Sequence, residues 1–158
     1  MDVLVGGVHE GEEHHHRHVS DIEDIVGSSA FDVNSRIREE ILKVYDLVAK
    51  AESHAHGLDV KEVHFHEVGA LDAVIDIAGA CILFDMIGAK RIYSSPVALG
   101  GGKVKCAHGI LPVPAPATAY IVKGMPVYGG PVESELLTPT GAAILKNYKD
   151  EIEEENFK

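Results

Sequence analysis

Ile37, Ile41, Val44, Val48, Ala51 and Ala55 recur every three or four positions, while Arg36, Glu39, Glu40, Lys43, Asp46 and Lys50 fill the opposite side. That spacing gathers the apolar side chains into one stripe of a helix, with Gly57 as its C-terminal stop. A two-faced helix of this length must bury its stripe against another layer, which commits the chain to a packed globular fold. The 158 residues suit one ordinary domain. Hydrophobic content of 46% and charged content of 25% are typical of one.

Beyond that helix, extended and helical segments alternate. Residues 63–67 read as a short strand, 70–87 as a helix stopped by Gly88, 91–99 as strand-like and 103–107 as a second extended piece. Pro114 and Pro116 fit the first turn of a helix that runs through Ala119 and Val122 and ends at Gly124. A brief extended segment follows at 126–128. A last helix opens at Thr138-Pro139, a good N-cap and N1 pair, and runs into the acidic tail at 150–155. The alternation predicts an α/β fold, with a short mixed or partly parallel sheet flanked by helices. Residues 1–18 differ: an apolar start, Gly6-Gly7, then a run that is almost wholly charged or imidazole. They read as a flexible His-rich arm, with 19–158 as a single α/β domain. A helix is expected from Ser20, with Glu23 completing a capping box, to about Gly27.

Fourteen Lys and Arg against 25 Asp and Glu give a formal net charge of -11. Such a surface repels nucleic acid and anionic membranes and favours cations. Ten histidines point the same way, because imidazole is the commonest metal ligand. Two cysteines, Cys81 and Cys106, make no disulfide framework. There is no basic segment leading into an apolar one at the start. The longest apolar run, at 73–84, is broken by Asp76 and too short for a bilayer. A cytoplasmic location is expected.

Four clusters carry candidate chemistry. In a strand, His64 and His66 project to one face, roughly 6.5–7 Å apart at Cα, so both rings can converge on one cation. Glu67 ends that strand, and Gly69 allows a tight turn. Asp72 and Asp76 then share one face of the next helix. Their stripe turns non-polar at Gly79, Ala80 and Leu83, which suggests carboxylates facing a confined site; a solvated stripe at a helix start is the plainer alternative. Cys106 and His108 share a face if extended and offer a thiolate and an imidazole, ligands that suit nickel, zinc or copper; a buried thiol beside a turn histidine is the alternative. The turn Gly100-Gly101-Gly102-Lys103 could offer backbone N–H groups and a cation to a phosphate, as could the helix start Thr138-Pro139-Thr140-Gly141. Neither is a P-loop, and a flexible turn and a simple cap are the plainer readings. The tract His14-His15-His16-Arg17-His18, preceded by Glu10, Glu12 and Glu13, can collect borderline cations without a fold, or act as a spacer.

Together, His14 to Ile22, then Val63-His64-Phe65-His66-Glu67-Val68-Gly69-Ala70 with Asp72, then Cys106-Ala107-His108-Gly109 with Leu111 to Ala117, then Leu137 to Ala143 resemble the LarC family. These are nickel insertion proteins that mature the nickel-pincer cofactor of lactate racemase. The resemblance runs in order through nearly the whole chain. It implies a CTP-consuming cyclometallase of the lyase class, which inserts nickel into pyridinium-3,5-bisthiocarboxylic acid mononucleotide. It further implies Mg or Mn with the CTP in the full-length protein, handover to lactate racemase, and a homo-oligomer. Nickel would be held around His64, His66, Glu67, Asp72 and Asp76. The histidines of the arm (His14, His15, His16 and His18) would gather it, and Cys106 and His108 would transfer it. The mononucleotide phosphate would rest on Gly100–Lys103 or on Thr138, Thr140 and Gly141. The family's N-terminal aspartate-cysteine-phenylalanine-serine-glycine motif and its C-terminal nucleotide-associated region have no counterpart here, so the chain is expected to be the central part of a longer family protein. A nickel-storage or delivery module without catalysis, and a metal-dependent hydrolase, are the competing expectations.

Overall fold

The computed structural model describes residues 4–5, 8–9, 17–29, 31–65, 70–106, 109–149 and 151–152. They fall into two compact units, Met1–Gly88 and Ala89–Lys158.

In the first unit, β1 (Leu4–Val5) pairs antiparallel with β2 (Val8–His9). β3 (Arg17–His18) leads directly into α1 (Val19–Gly27), so the end of the His-rich segment is strand. The helix starts one residue before Ser20, and its cap is not the expected Ser20–Glu23 pair. His18 is the N-cap, and its backbone N–H donates to Asp21 Oδ2 at 2.7 Å. A short acid three residues on reaches back to the cap and sits at the positive end of the helix, whereas Glu23 is exposed.

α2 (Ser35–His56) follows the expected periodicity. The Asn34 side chain accepts from the Ile37 N–H at 2.9 Å to start it, and Gly57 ends it at φ 67°. Ile37, Ile41, Val44, Tyr45, Val48, Ala49 and Ala51 are buried. Ala55, expected on the same face, is exposed because the packed stripe stops a turn earlier. A 3-10 turn, Val60–Glu62, then delivers the chain to β4 (His64–Phe65), which pairs antiparallel with β3. α3 (Leu71–Ile87) buries Val74, Ile77, Ala78 and Cys81 and ends at Gly88, φ 60°. Arg36 and Asn34, at the start of α2, reach Asp85 near the end of α3 at 3.6 and 3.4 Å, so the two helices run antiparallel. The outer side of α3 is also apolar, with Leu83 60% and Met86 76% exposed.

In the second unit the expected strand at 91–99 breaks at Ser95-Pro96 into β5 (Tyr93–Ser94) and β6 (Val97–Ala98). β7 (Lys103–Cys106) and β8 (Gly109–Pro112) form an antiparallel hairpin; β8 was not expected. The Val113–Pro114 bond is cis, and α4 (Pro116–Ile121) opens at Pro116. β9 (Val127–Tyr128) pairs parallel with β6. α5 (Pro139–Tyr148) starts at its N-cap Thr138, whose hydroxyl accepts from the Gly141 N–H at 3.2 Å. This helix ends at Tyr148, with Lys149 as its C-cap. β10 (Glu151–Ile152) pairs parallel with β5. Lys146, on α5, donates through Nζ to the Ile121 and Lys123 carbonyls at 2.5 and 3.2 Å, satisfying the open end of α4. The architecture is α/β, with helices and two-stranded pairings of both senses.

Candidate functional site

The pairing of β3 with β4 sorts four side chains onto two faces. Arg17 lies opposite Phe65, and His18 opposite His64. Directly opposed residues in an antiparallel pair share a face, and neighbours along a strand alternate. Phe65 is 1% exposed and sets its ring against Tyr45 of α2, with centroids 5.8 Å apart. The inward side of the pair is therefore Arg17 and Phe65, and the outward side is the two histidines. Their imidazole centroids are 4.1 Å apart with planes tilted by 50°; His64 is exposed and His18 half-buried. Helix capping fixes the His18 backbone, and the burial of Phe65 fixes the strand that carries His64. Two neighbouring imidazoles at a surface are a ready pair of nitrogen ligands for a borderline divalent ion.

Other expected ligands fall elsewhere. His66 and Glu67, with Gly69, lie outside the described residues, as do His14, His15 and His16. Asp72 is half-buried in the first turn of α3, and its Oδ1 accepts from the Ala73 N–H at 2.7 Å. Burial holds the Tyr45 hydroxyl well above its ordinary pKa; the Arg17 charge opposes that shift and the Asp72 charge adds to it. Asp72 therefore faces the Tyr45 region. Asp76 is exposed, and the stripe below it continues to the exposed Leu83. Between Asp76 and Leu83 the stripe passes through Gly79 and Ala80, which are half-buried. Among the described residues no three His, Cys, Asp or Glu side chains converge to hold a metal.

In the second unit Cys106 is half-buried and pairs with Gly109 at the closing end of the hairpin; His108 lies outside the described residues. The Gly100 and Gly101 amides, read as a phosphate cradle, already donate to the carbonyls of Gly129 at 2.7 Å and Ser134 at 3.3 Å. A Cβ on Gly100 would lie 1.8 Å from the Ser134 carbonyl oxygen, so this turn is glycine because another backbone segment crosses it. Gly102 and Lys103 are exposed. Thr138 caps α5 through the Gly141 amide, and Thr140 and Gly141 are half-buried.

Sequence reasoning passed over Tyr45 and Arg17. The available signals were an aromatic one position off the apolar stripe of α2 and the arginine that interrupts the histidine run.

A family model described as "Nickel insertion protein" matches residues 1–157. The chain belongs to the nickel insertion protein family. Proteins named pyridinium-3,5-bisthiocarboxylic acid mononucleotide nickel insertion protein are similar to it. That of Desulfitobacterium hafniense is 50% identical over 141 residues, 89% of this chain and 35% of the relative. That of Staphylococcus saprophyticus is 49% identical over 135 residues, 85% of this chain and 34% of the relative. That of Clostridium acetobutylicum is 50% identical over 125 residues, 79% of this chain and 29% of the relative. The chain thus spans about a third of the length of these family members. No solved structure matches it. Among the described residues, no helix is long and apolar enough to cross a membrane.

Proposed function

We propose that this member of the nickel insertion family binds nickel at the β3–β4 pair and delivers it to pyridinium-3,5-bisthiocarboxylic acid mononucleotide. The product is the nickel-pincer cofactor used by lactate racemase. The observation that carries this reading is the adjacent, tilted ring pair His18–His64, which joins the end of the histidine tract to the strand before α3. Relatives that match most of the chain bear the name of that activity. His14, His15, His16, His66 and Glu67 extend the ligand set, with Asp72 and Asp76 nearby on α3. An exposed two-imidazole site takes an ion from water and releases it to a competing ligand, which is what insertion of a metal requires. The substrate supplies stronger donors, two thiocarboxylate sulfurs and a carbanionic ring carbon. Forming the metal–carbon bond from a C–H bond releases a proton, and a neutral imidazole is a suitable acceptor at neutral pH. Cys106 and His108 pass the ion on, and Thr138, Thr140, Gly141, Gly102 and Lys103 serve the mononucleotide phosphate. CTP, with Mg or Mn, is used by the longer family protein.

Titration of the chain with Ni(II) by calorimetry tests the site. Replacing His64 and His66 by alanine should remove the stoichiometric binding event, and unchanged binding overturns the assignment. Single-turnover insertion into the pyridinium precursor separates an inserting protein from a storage module that binds nickel and does no more.

A further inference from the structure

The arginine that interrupts the histidine tract is unexplained by metal collection, since a fifth histidine there would add a ligand. We propose that Arg17 is a positioning residue, which anchors β3 from its inward face and so sets His18 opposite His64. This rests on the reading of that pair as the nickel site.

Three observations carry it. First, β3 has only two residues, and one of them, His18, already begins α1. So short a strand makes too few ladder hydrogen bonds to fix its own register, and a slip of one residue would turn His18 inward. Second, the register places Arg17 against Phe65, on the face that Phe65 buries against Tyr45. Arg17 is half-buried there, as an arginine is when its stem covers apolar surface and its guanidinium finds a partner. Third, the charges of Arg17 and Asp72 both act on the buried Tyr45 hydroxyl, so the arginine lies near that phenol. A guanidinium brings a long stem and five donors to such a place, whereas an imidazole at position 17 is shorter and largely neutral at pH 7. Within the two described residues of this strand, the inward side chain is the arginine and the outward one the histidine.

The test compares Arg17→His, Arg17→Met and Arg17→Lys with His18→Ala and His64→Ala. Ni(II) affinity is measured by calorimetry, and the inter-ring contact of His18 and His64 by NMR in the metal-free chain. If the tract merely collects metal, Arg17→His binds nickel more tightly than the parent. If Arg17 positions, Arg17→His and Arg17→Met bind about tenfold more weakly and lose the inter-ring contact while circular dichroism is unchanged. Arg17→Lys, which keeps the charge, recovers most of both. An intact inter-ring contact in Arg17→Met overturns the proposal whatever nickel does. Should Arg17→Met fail to fold, Arg17→His with Tyr45→Phe gives the same reading. Unaltered nickel binding in both His18→Ala and His64→Ala instead overturns the nickel site, while the NMR contact still decides the role of Arg17.

Discussion

The two units are held together by different means. The first is organised by three helices whose apolar side chains interdigitate: Ile22 and Val26 from α1, seven residues of α2, and Val74, Ile77 and Cys81 from α3 are buried. The second has a smaller side-chain core, with Leu99, Ala117, Ile121, Val122, Met125, Ala142 and Ala143 buried, and relies more on backbone crossings. Its strands are two to four residues long, and five of its glycines (Gly100, Gly102, Gly109, Gly124 and Gly130) take positive φ. The amides of Gly100 and Gly101 donate to the carbonyls of Gly129 and Ser134. A side-chain core loses stability in proportion to the volume removed, whereas a crossing of two backbones tolerates almost no added atom.

Substitutions matched across the units should sharpen that contrast. The largest effect is expected from Gly100→Ala, which puts a methyl into the Ser134 carbonyl at a φ of 86°. A loss of about 4 kcal/mol or more, seen as collapse of amide-exchange protection confined to the second unit, is the expected result. Ile77→Ala, in the core of the first unit, should cost about 2–5 kcal/mol in chemical denaturation. Tyr45 adds a pH term. Its folded-state pKa is raised above the ordinary 10.0, so its contribution is complete below that value and is lost as the pH climbs toward the folded pKa. Between the two, stability should fall by up to about 1.4 kcal/mol per pH unit, and Tyr45→Phe should flatten that slope. Asn34→Ala removes the side-chain oxygen that accepts from the Ile37 N–H and should cost about 1 kcal/mol. Met86→Lys, on the exposed side of α3, should change stability by no more than about 0.5 kcal/mol. A cost for Met86→Lys comparable with that of Ile77→Ala would mean that the outer side of α3 is packed in solution, and the contrast between the units would need redrawing.

The same contrast decided what could be read from the sequence. α2 and α3 were legible, with their ends at Gly57 and Gly88, because a 3.6-residue period sustained over several turns is a long signal with a glycine full stop. The α/β class followed from alternation. Of the two-residue strands, β4, β5, β6 and β9 fall within segments that read as extended, but their limits did not show, since a period of two needs four or more residues; β10 is hidden inside an acidic run. Why the turn at Gly100 is glycine was not legible for a related reason. Its amides resemble an anion cradle until the crossing segment at Ser134 is seen, and nothing local announces that segment. At the candidate site, His64 was found from its neighbours, but its partner was expected at His66. That His18 stands across from it is a property of pairing between distant segments, which local spacing does not encode.

The position of His18 at the junction of a strand and a helix has a thermodynamic consequence. An ion shared by His18 and His64 ties two points of the chain that lie on either side of α1 and α2, closing both helices within one loop. It acts as a reversible cross-link, lowering the entropy of the unfolded chain as a disulfide does. Occupancy and folding are then linked: at a free ion concentration a hundred times the dissociation constant, the first unit gains about 2.7 kcal/mol. Giving up the ion returns that increment, so the cargo-loaded protein should melt at a higher temperature than the emptied one, and the difference in melting temperature measures how firmly the ion is held.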